Sequence, residues 1–269
     1  MTDPDRKYHI GFGRCDFDGH SPELVLLCGD PERARRLVME TAGVRLIKPL
    51  SERRGLHSYL ALLPDGRPFV SATSGMGAPS LSIVVNELFS LGIRTMIRVG
   101  TSGSLQDDVK VGDVVVSRAA LCRQGAAADI APLEYPAAAD PFLTVELVEA
   151  ARRLNIPCHL GVTASVDTFY EGQERTLSSA NPHLLRSLVG INEEYRQLGI
   201  LNYEMEAGTL FKMAGVYGFA AGCACAVLAA RRTSEVVSEP DKRRAEENVL
   251  QVAVAAAVQL GTGRSQSKP

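Results

Sequence analysis

Short, nearly continuous apolar runs recur along the chain at residues 24–27, 69–73, 93–99 and 113–117. Each has the length and the Gly/Pro/Asp-rich borders of a strand buried on both faces. Between them the spacing changes. After Gly75-Met76-Gly77-Ala78-Pro79-Ser80, the residues Leu81, Val84, Val85, Leu88 and Leu91 fall on one helical face, and Pro79 and Ser80 suit the start of that helix. A second helix is predicted over 142–154, a strand over 160–166, a helix over 206–216, a buried strand near 219–228 and a packed Ala/Val-rich helix over 245–260. Strands alternating with helices predict an α/β fold around a largely buried sheet. No strong linker divides the chain, so one domain is expected over 1–260, with residues 261–269 as a flexible tail. There is no internal repeat, and no glycine cluster has the spacing of a dinucleotide fingerprint or a Walker loop.

Composition narrows the function classes. The 269 residues are 45% hydrophobic, enough for a sizeable core, and 29 Lys+Arg against 31 Asp+Glu leave a net charge of -2. That balance argues against a nucleic-acid-binding surface. The N-terminal residues lack the apolar core of a secretory signal, and the apolar stretch 219–230 is too short to span a bilayer, so a soluble cytoplasmic protein without membrane partners is expected. Cys15, Cys28, Cys122, Cys158, Cys223 and Cys225 include no close CxxC pair. They read as small buried hydrophobes in a reducing compartment, with no metal site.

Four segments carry candidate chemistry. In the first, an apolar strand ends at Cys28, Gly29-Asp30-Pro31 turns the chain, and Arg33 follows. Glycine admits close backbone approach, a helix start presents free N–H groups, and arginine adds a permanent planar charge, which together suit an anion. Alone, the segment also reads as a loop with a solvated arginine. In the second, Arg98 and Thr101 lie in RVGTSGS at the expected end of a strand, where open α/β sheets bind ligands. An ordinary Ser/Thr-supported turn is the alternative. The third, residues 167–175, combines Phe169, which can stack a heterocycle, with Gln173 and Arg175, which can read its polar edge. The fourth, residues 202–210, places Glu204, Met205 and Glu206 at a strand-to-helix transition, where Glu206 can bind sugar hydroxyls. Singly, each of these also reads as turn or packing chemistry. Together they describe an anion site, a heterocycle site and a hydroxyl-binding carboxylate.

The ordered set YHIG, GDPERA, SGMGAPS, RVGTSGS, APLEYPA, DTFYEGQER and NYEMEAGTL, running from about Tyr8 to Leu260, resembles the bacterial uridine phosphorylases. These belong to the nucleoside phosphorylase family that includes the hexameric purine nucleoside phosphorylases. The resemblance implies a single-domain three-layer α/β/α fold with a central mixed sheet. It assigns phosphate contacts to Gly29, Arg33, Arg98 and Thr101, with Arg54 of SERRG supplied by a neighbouring subunit. His9 would reach across the same interface to the ribose, which Thr101, Met205 and Glu206 also contact, with Glu204 organising the end of the site. Phe169, Gln173 and Arg175 would hold the base, supported by Arg231. The implied reaction, in pyrimidine salvage, is phosphorolysis of uridine, with Arg33, Arg98, Arg175, Gln173 and Glu206 at the reacting groups. Phosphate is then a co-substrate, no cofactor or metal is required, and a structural potassium ion is compatible with the family. The implied assembly is a homohexamer built as a trimer of dimers.

Two departures bear on base preference. The related purine enzymes carry an acid after the late buried strand, where this chain has Ala230 and Arg231, and AARRT differs from the usual NRT. This favours a pyrimidine. The stretch 122–137 also lacks the family's more polar start and its histidine, which leaves pocket access and base preference open. A purine nucleoside phosphorylase, a nucleosidase and a noncatalytic nucleoside sensor are the competing readings.

Overall fold

The computed structural model describes residues 5–231 and 238–263. A 3-10 turn (Arg14–Phe17) precedes strand β1 (Leu24–Cys28) and helix α1 (Pro31–Glu40), followed by β2 (Arg45–Ser51), β3 (Ser58–Leu62), β4 (Pro68–Thr73) and α2 (Ala78–Ser90). Next come β5 (Thr95–Ser104), β6 (Val114–Arg123), α3 (Gly125–Ile130), α4 (Pro141–Arg153) and β7 (Cys158–Val166). The last elements are α5 (Ile191–Gln197), β8 (Ile200–Glu204), α6 (Ala207–Tyr217), β9 (Ala220–Ala230) and α7 (Glu239–Gly263). Local chemistry sets several of the boundaries. Asp30 caps α1 by accepting from the Glu32 amide at 2.9 Å, with Pro31 in the first turn. Asp140 and Pro141 start α4 in the same way, with Asp140 accepting from Phe142 and Leu143. Gly218, in the left-handed conformation, ends α6.

The strands form one mixed sheet in the order β2-β3-β4-β1-β5-β8-β7-β6-β9, and β9 returns to pair with β5. The β5-β8-β7-β6-β9 half therefore closes on itself, while β1, β4, β3 and β2 extend from β5 as an open sheet. β5 lies parallel to β1 over its first residues and to β9 along its length, then meets β8 antiparallel at Gly103 and Ser104. Alternate strand residues face opposite layers, as period-2 side chains must. Leu24, Leu26 and Cys28 pack with α1, α4 and α7, whereas Val25 and Leu27 pack with α2 and α6. The result is the expected three-layer α/β/α arrangement around a mixed sheet.

Several elements differ from the sequence expectation. The strand expected to stop near Val99 runs on to Ser104, so Arg98 and Thr101 sit within a strand and not on a turn. Its two interior glycines are needed for close approach: a Cβ on Gly100 would meet Cys225 Sγ at 2.8 Å, and one on Gly103 would meet Arg231 Cδ at 3.1 Å. The strand expected over 113–117 likewise extends to Arg123. β2, β3 and β8 did not register as apolar runs. β2 is a half-exposed edge strand containing Pro49, and β8 carries polar site residues. The C-terminal helix begins at Glu239 and continues to Gly263, and the rest of the expected tail, 264–269, lies outside the described residues. Cys28, Cys223 and Cys225 are buried and all six cysteines are free thiols, but Cys15 is exposed and does not fit the buried-hydrophobe expectation. Among the described residues, no helix is long and apolar enough to cross a membrane.

Candidate active site

A cavity of about 530 Å³ opens where β1 ends and β5 enters the closed half of the sheet. It gathers residues from every segment singled out by chemistry. Gly29 and Arg33 come from the β1–α1 turn, Arg98 and Thr101 from β5, and Phe169, Gln173 and Arg175 from the segment after β7. Glu204, Met205 and Glu206 come from the β8–α6 junction. Met76 and Tyr203, which the sequence reading did not assign, also line the cavity. His9 and Arg54 do not line it, and Arg231 borders an adjoining cavity of about 250 Å³.

At one end the arginines are held with donors to spare. Arg98 is 4% exposed; its Nε donates to Glu204 Oε2 at 2.8 Å, and its Nη2 pairs with Glu206 Oε2. Its Nη1 is buried with no partner among the described residues, and so is Nε of Arg33. A Cβ at Gly29 would lie 3.9 Å from Arg98 Nη1, so glycine leaves the space before that donor open. Arg33 Nη2 donates at 2.8 Å to Glu246 of α7, whose other carboxylate oxygen takes Arg36 Nη1 at 2.6 Å. Buried donors without acceptors are costly, and an anion seated at this end would satisfy them.

The two carboxylates beside Arg98 play different parts. Glu204 accepts from the amides of Glu206 and Ala207 at 2.8 Å each and from the Ser165 hydroxyl, which in turn accepts from the Gly208 amide. It therefore fastens the start of α6 to β7. Glu206 accepts from the Gly77 amide at 2.5 Å. Burial pushes the Glu206 carboxyl above its ordinary range; Arg98 pulls it back and Glu204 pushes it up further. Burial also works against the charge on Arg98, but Glu206 and Glu204 outweigh it and hold that guanidinium firmly protonated. The peptide between the carboxylates is fixed by Gln124. Its Nε2 donates to Met205 O at 2.6 Å, and its Oε1 accepts from the amide and hydroxyl of Thr209. Ser165 carries no sequence signal, being a single hydroxyl within the run LGVTASV, and Gln124 lies in the divergent stretch 122–137 with no motif of its own. The divergent stretch 122–137 thus reaches the site through Gln124, while none of its residues lines the cavity.

At the other end Arg175 lies over the Phe169 ring at 4.0 Å from its centroid and donates from Nε to Gln173 Oε1 at 3.3 Å. Arg231 donates to the backbone carbonyl of Gln173 and packs over Gly103, bracing this corner from behind. Burial first, and then repulsion from Arg175, lowers the Arg231 pKa to about 10. Arg232 and Thr233, the rest of the AARRT departure, lie outside the described residues. The Tyr203 hydroxyl is buried against the same corner with no partner among the described residues, and burial pushes its pKa up.

His9 and Arg54 lie together elsewhere. Glu87 of α2 accepts from His9 Nδ1 at 2.7 Å and from the amides of His9 and Ile10. Arg54 sits over the Tyr8 ring at 5.2 Å and donates to its hydroxyl at 3.3 Å, while Tyr8 packs edge-on against His9. The backbone at Arg54 has φ of 57°, a strained value for a non-glycine residue. The half-buried His9 and the exposed Arg54 thus both contact Tyr8 and do not line this chain's own cavity.

Known proteins are similar in sequence to this chain over most of its length. Residues 23–260 match the Phosphorylase superfamily model. The chain is 38% identical to uridine phosphorylase of Escherichia coli (strain K12), over 94% of this chain and 97% of that protein. It is 36% identical to uridine phosphorylase of Thermococcus kodakarensis, over 91% of this chain and 85% of that protein. With guanosine phosphorylase of Halorubrum lacusprofundi it shares 30% identity, over 78% of this chain and 79% of that protein. A match over residues 23–260, from β1 into α7, shows that this chain belongs to the phosphorylase superfamily.

Proposed function

We propose that this protein catalyses reversible phosphorolysis of uridine to uracil and ribose 1-phosphate. The observation that carries the reading is the polarity of the cavity. Buried donors of Arg33 and Arg98 without partners mark one end, Gln173 and Arg175 mark the other, and Glu206 lies beside Arg98. Phosphate binds at the Gly29–Arg33–Arg98–Thr101 end and ribose along Met205 and Glu206. The pyrimidine binds between Phe169 and the Gln173–Arg175 pair. As the C1'–N1 bond lengthens, positive character develops on the sugar and a phosphate oxygen forms the new bond at C1'. The electron pair of the broken bond passes to uracil, where Arg175 and Gln173 stabilise the charge on its oxygens before N1 takes up a proton. The protein contributes position and field, with no covalent nucleophile, cofactor or metal in the step. A potassium ion, where one binds, has a structural part only. Ala230 and Arg231 stand where the purine enzymes carry an acid, which supports a pyrimidine leaving group.

The reading includes the assembly. Tyr8 touches both His9 and Arg54, so one patch on one subunit can complete the phosphate and ribose ends of a neighbour's cavity, as in a homohexamer built as a trimer of dimers and working in the cytoplasm. Purified protein is incubated with uridine, thymidine or inosine, with and without phosphate. Phosphate-dependent release of uracil supports the proposal. Equal release without phosphate makes the protein a nucleosidase, preference for inosine makes it a purine enzyme, and binding without turnover makes it a sensor. Arg54→Ala and Arg98→Ala proteins, each inactive alone, are expected to regain activity when dissociated and reassembled together. No recovery in the mixture would refute the shared site.

A further inference from the structure

We propose that Glu246, on the C-terminal helix and outside the cavity, is a positioning residue that sets the affinity for phosphate by holding Arg33. The inference rests on the phosphorolysis reading and deepens it.

Arg33, Arg36 and Glu246 form a buried cluster between α1 and α7, at 6%, 8% and 5% exposure. Glu246 bridges the two arginines, taking Arg33 Nη2 at 2.8 Å on Oε1 and Arg36 Nη1 at 2.6 Å on Oε2. The two guanidiniums have different surroundings. Arg36 is also paired with Glu40 at 3.2 Å and Glu247 at 3.5 Å, so it keeps acceptors if Glu246 is lost. Arg33 lines the cavity, and Glu246 provides its ion pair among the described residues. A planar guanidinium gripped at one nitrogen has its plane, and hence the aim of its remaining N–H groups, fixed by that grip. Nε of Arg33, buried without a partner among the described residues, belongs to the part left for the anion. Arg98 is arranged alike: carboxylates grip Nε and Nη2 and leave Nη1 open. The phosphate end therefore has two gripped arginines, one aimed from the β8–α6 junction and the other from α7.

Charge alone predicts the opposite of positioning, which makes the inference testable. Glu246 places a negative charge one residue away from an anion site, so neutralising it would tighten phosphate binding if only the field mattered. If its grip on Arg33 matters more, neutralising it weakens phosphate binding. Substitution of the outer partners that orient metal-binding side chains costs about 10- to 100-fold in affinity, and the low end of that scale is taken for the grip on Arg33. Glu246→Gln should therefore raise KM for phosphate about 10-fold and leave KM for uridine within about 2-fold. Arg36→Met damages the same buried cluster but spares the Arg33–Glu246 bond. It should lower Tm while leaving the phosphate KM near that of the unaltered protein. The Arg36→Met/Glu246→Gln double variant removes the guanidinium that a glutamine amide would oppose, so the Gln oxygen can turn to Arg33 and much of the phosphate affinity should return.

Both Michaelis constants are measured for each protein, together with the rise in Tm on adding phosphate, which reads anion binding without turnover. An unchanged or lowered phosphate KM in Glu246→Gln overturns the inference. So does a parallel rise in both KM values with falling Tm, in Arg36→Met as well as in Glu246→Gln, because that is the pattern of general damage. If Glu246→Gln does not fold, Glu246→Asp, one methylene shorter, is expected to raise the phosphate KM by a smaller factor, and an unchanged value overturns the inference. Failure of the functional reading looks different: the unaltered protein would then show no phosphate-dependent release of uracil.

Discussion

Gly100→Ala is the sharpest test of how Arg98 is held. Gly100 pairs with Cys225 across β5 and β9, and a Cβ built on it would lie 2.8 Å from Cys225 Sγ, 2.9 Å from Arg98 Nη2 and 3.0 Å from Arg98 Cζ. Ordinary contact begins near 3.4 Å, so the guanidinium must retreat by roughly half an ångström and the sulfur by somewhat more. Neither has room, because Cys225 is fully buried and Arg98 is tied to two carboxylates. Overpacking of this kind costs about 1–3 kcal/mol. In a domain of this size each kcal/mol lowers Tm by about 2–4 °C. The catalytic effect should be larger than the loss of stability suggests. Shifting a positioned group by a large fraction of an ångström costs on the order of 10- to 100-fold in rate. A second substitution separates the two effects. Cys225→Ala removes the sulfur but not the guanidinium, so the Gly100→Ala/Cys225→Ala protein should recover much of its Tm while kcat/KM for uridine phosphorolysis stays low. Melting curves and steady-state kinetics on the single and double variants decide the matter. Full activity in Gly100→Ala, or recovery of activity along with Tm in the double variant, would show that the position of Arg98 is not what this glycine protects.

Three further outcomes are expected. Glu206 has a pKa raised above its unfolded value, so stability is full while both states are protonated and falls as pH climbs from about 4.5 through the raised pKa; Glu206→Gln should flatten that fall, and superimposable Tm–pH curves would contradict it. Gln124→Ala strips the Thr209 amide and hydroxyl and the Met205 carbonyl of their partner. It should cost about 1–3 kcal/mol by denaturant unfolding and raise KM for uridine more than for phosphate. Gln173→Ala should weaken uridine binding, read as a higher KM for uridine, with the phosphate-induced rise in Tm intact; loss of that rise would place Gln173 at the wrong end of the cavity.

The sequence disclosed the chemistry of the site more readily than the strands that carry it. Arg33, Arg98, Gln173, Arg175 and Glu206 stood out because charged or amide side chains beside glycines at the ends of apolar runs are uneconomical unless something binds there. The same glycines misled the reading of β5. Gly100 and Gly103 look like the punctuation of a turn, yet both lie inside a strand, where a neighbouring side chain occupies the space a Cβ would need. β8 was hidden for a related reason, since Asn202, Tyr203 and Glu204 serve the polar interior and break the apolar pattern. Glu246 could not be read at all. Its partner is Arg33, 213 residues away, and a glutamate beside Glu247 in a run of charged helix positions carries no mark of what it will face. The roles assigned to His9 and Arg54 rest on family resemblance alone, because within one chain they face Glu87 and Tyr8 and do not line the cavity.

The return of β9 to β5 also fixes when the site can come into being. Residues 95–104 supply Arg98 and Thr101 early in synthesis, but their long neighbour is residues 220–230, and the glutamate that grips Arg33 comes later still. A nascent chain that has completed β1 to β5 holds the phosphate-end arginines with neither the strand that backs Arg98 nor the helix that aims Arg33. On the proposed function, anion recognition is among the last properties the growing polypeptide acquires, and closure between such distant segments makes folding slow relative to a helix bundle of equal length. A ribosome-bound chain truncated before residue 220 should have the N-terminal strands and no affinity for phosphate.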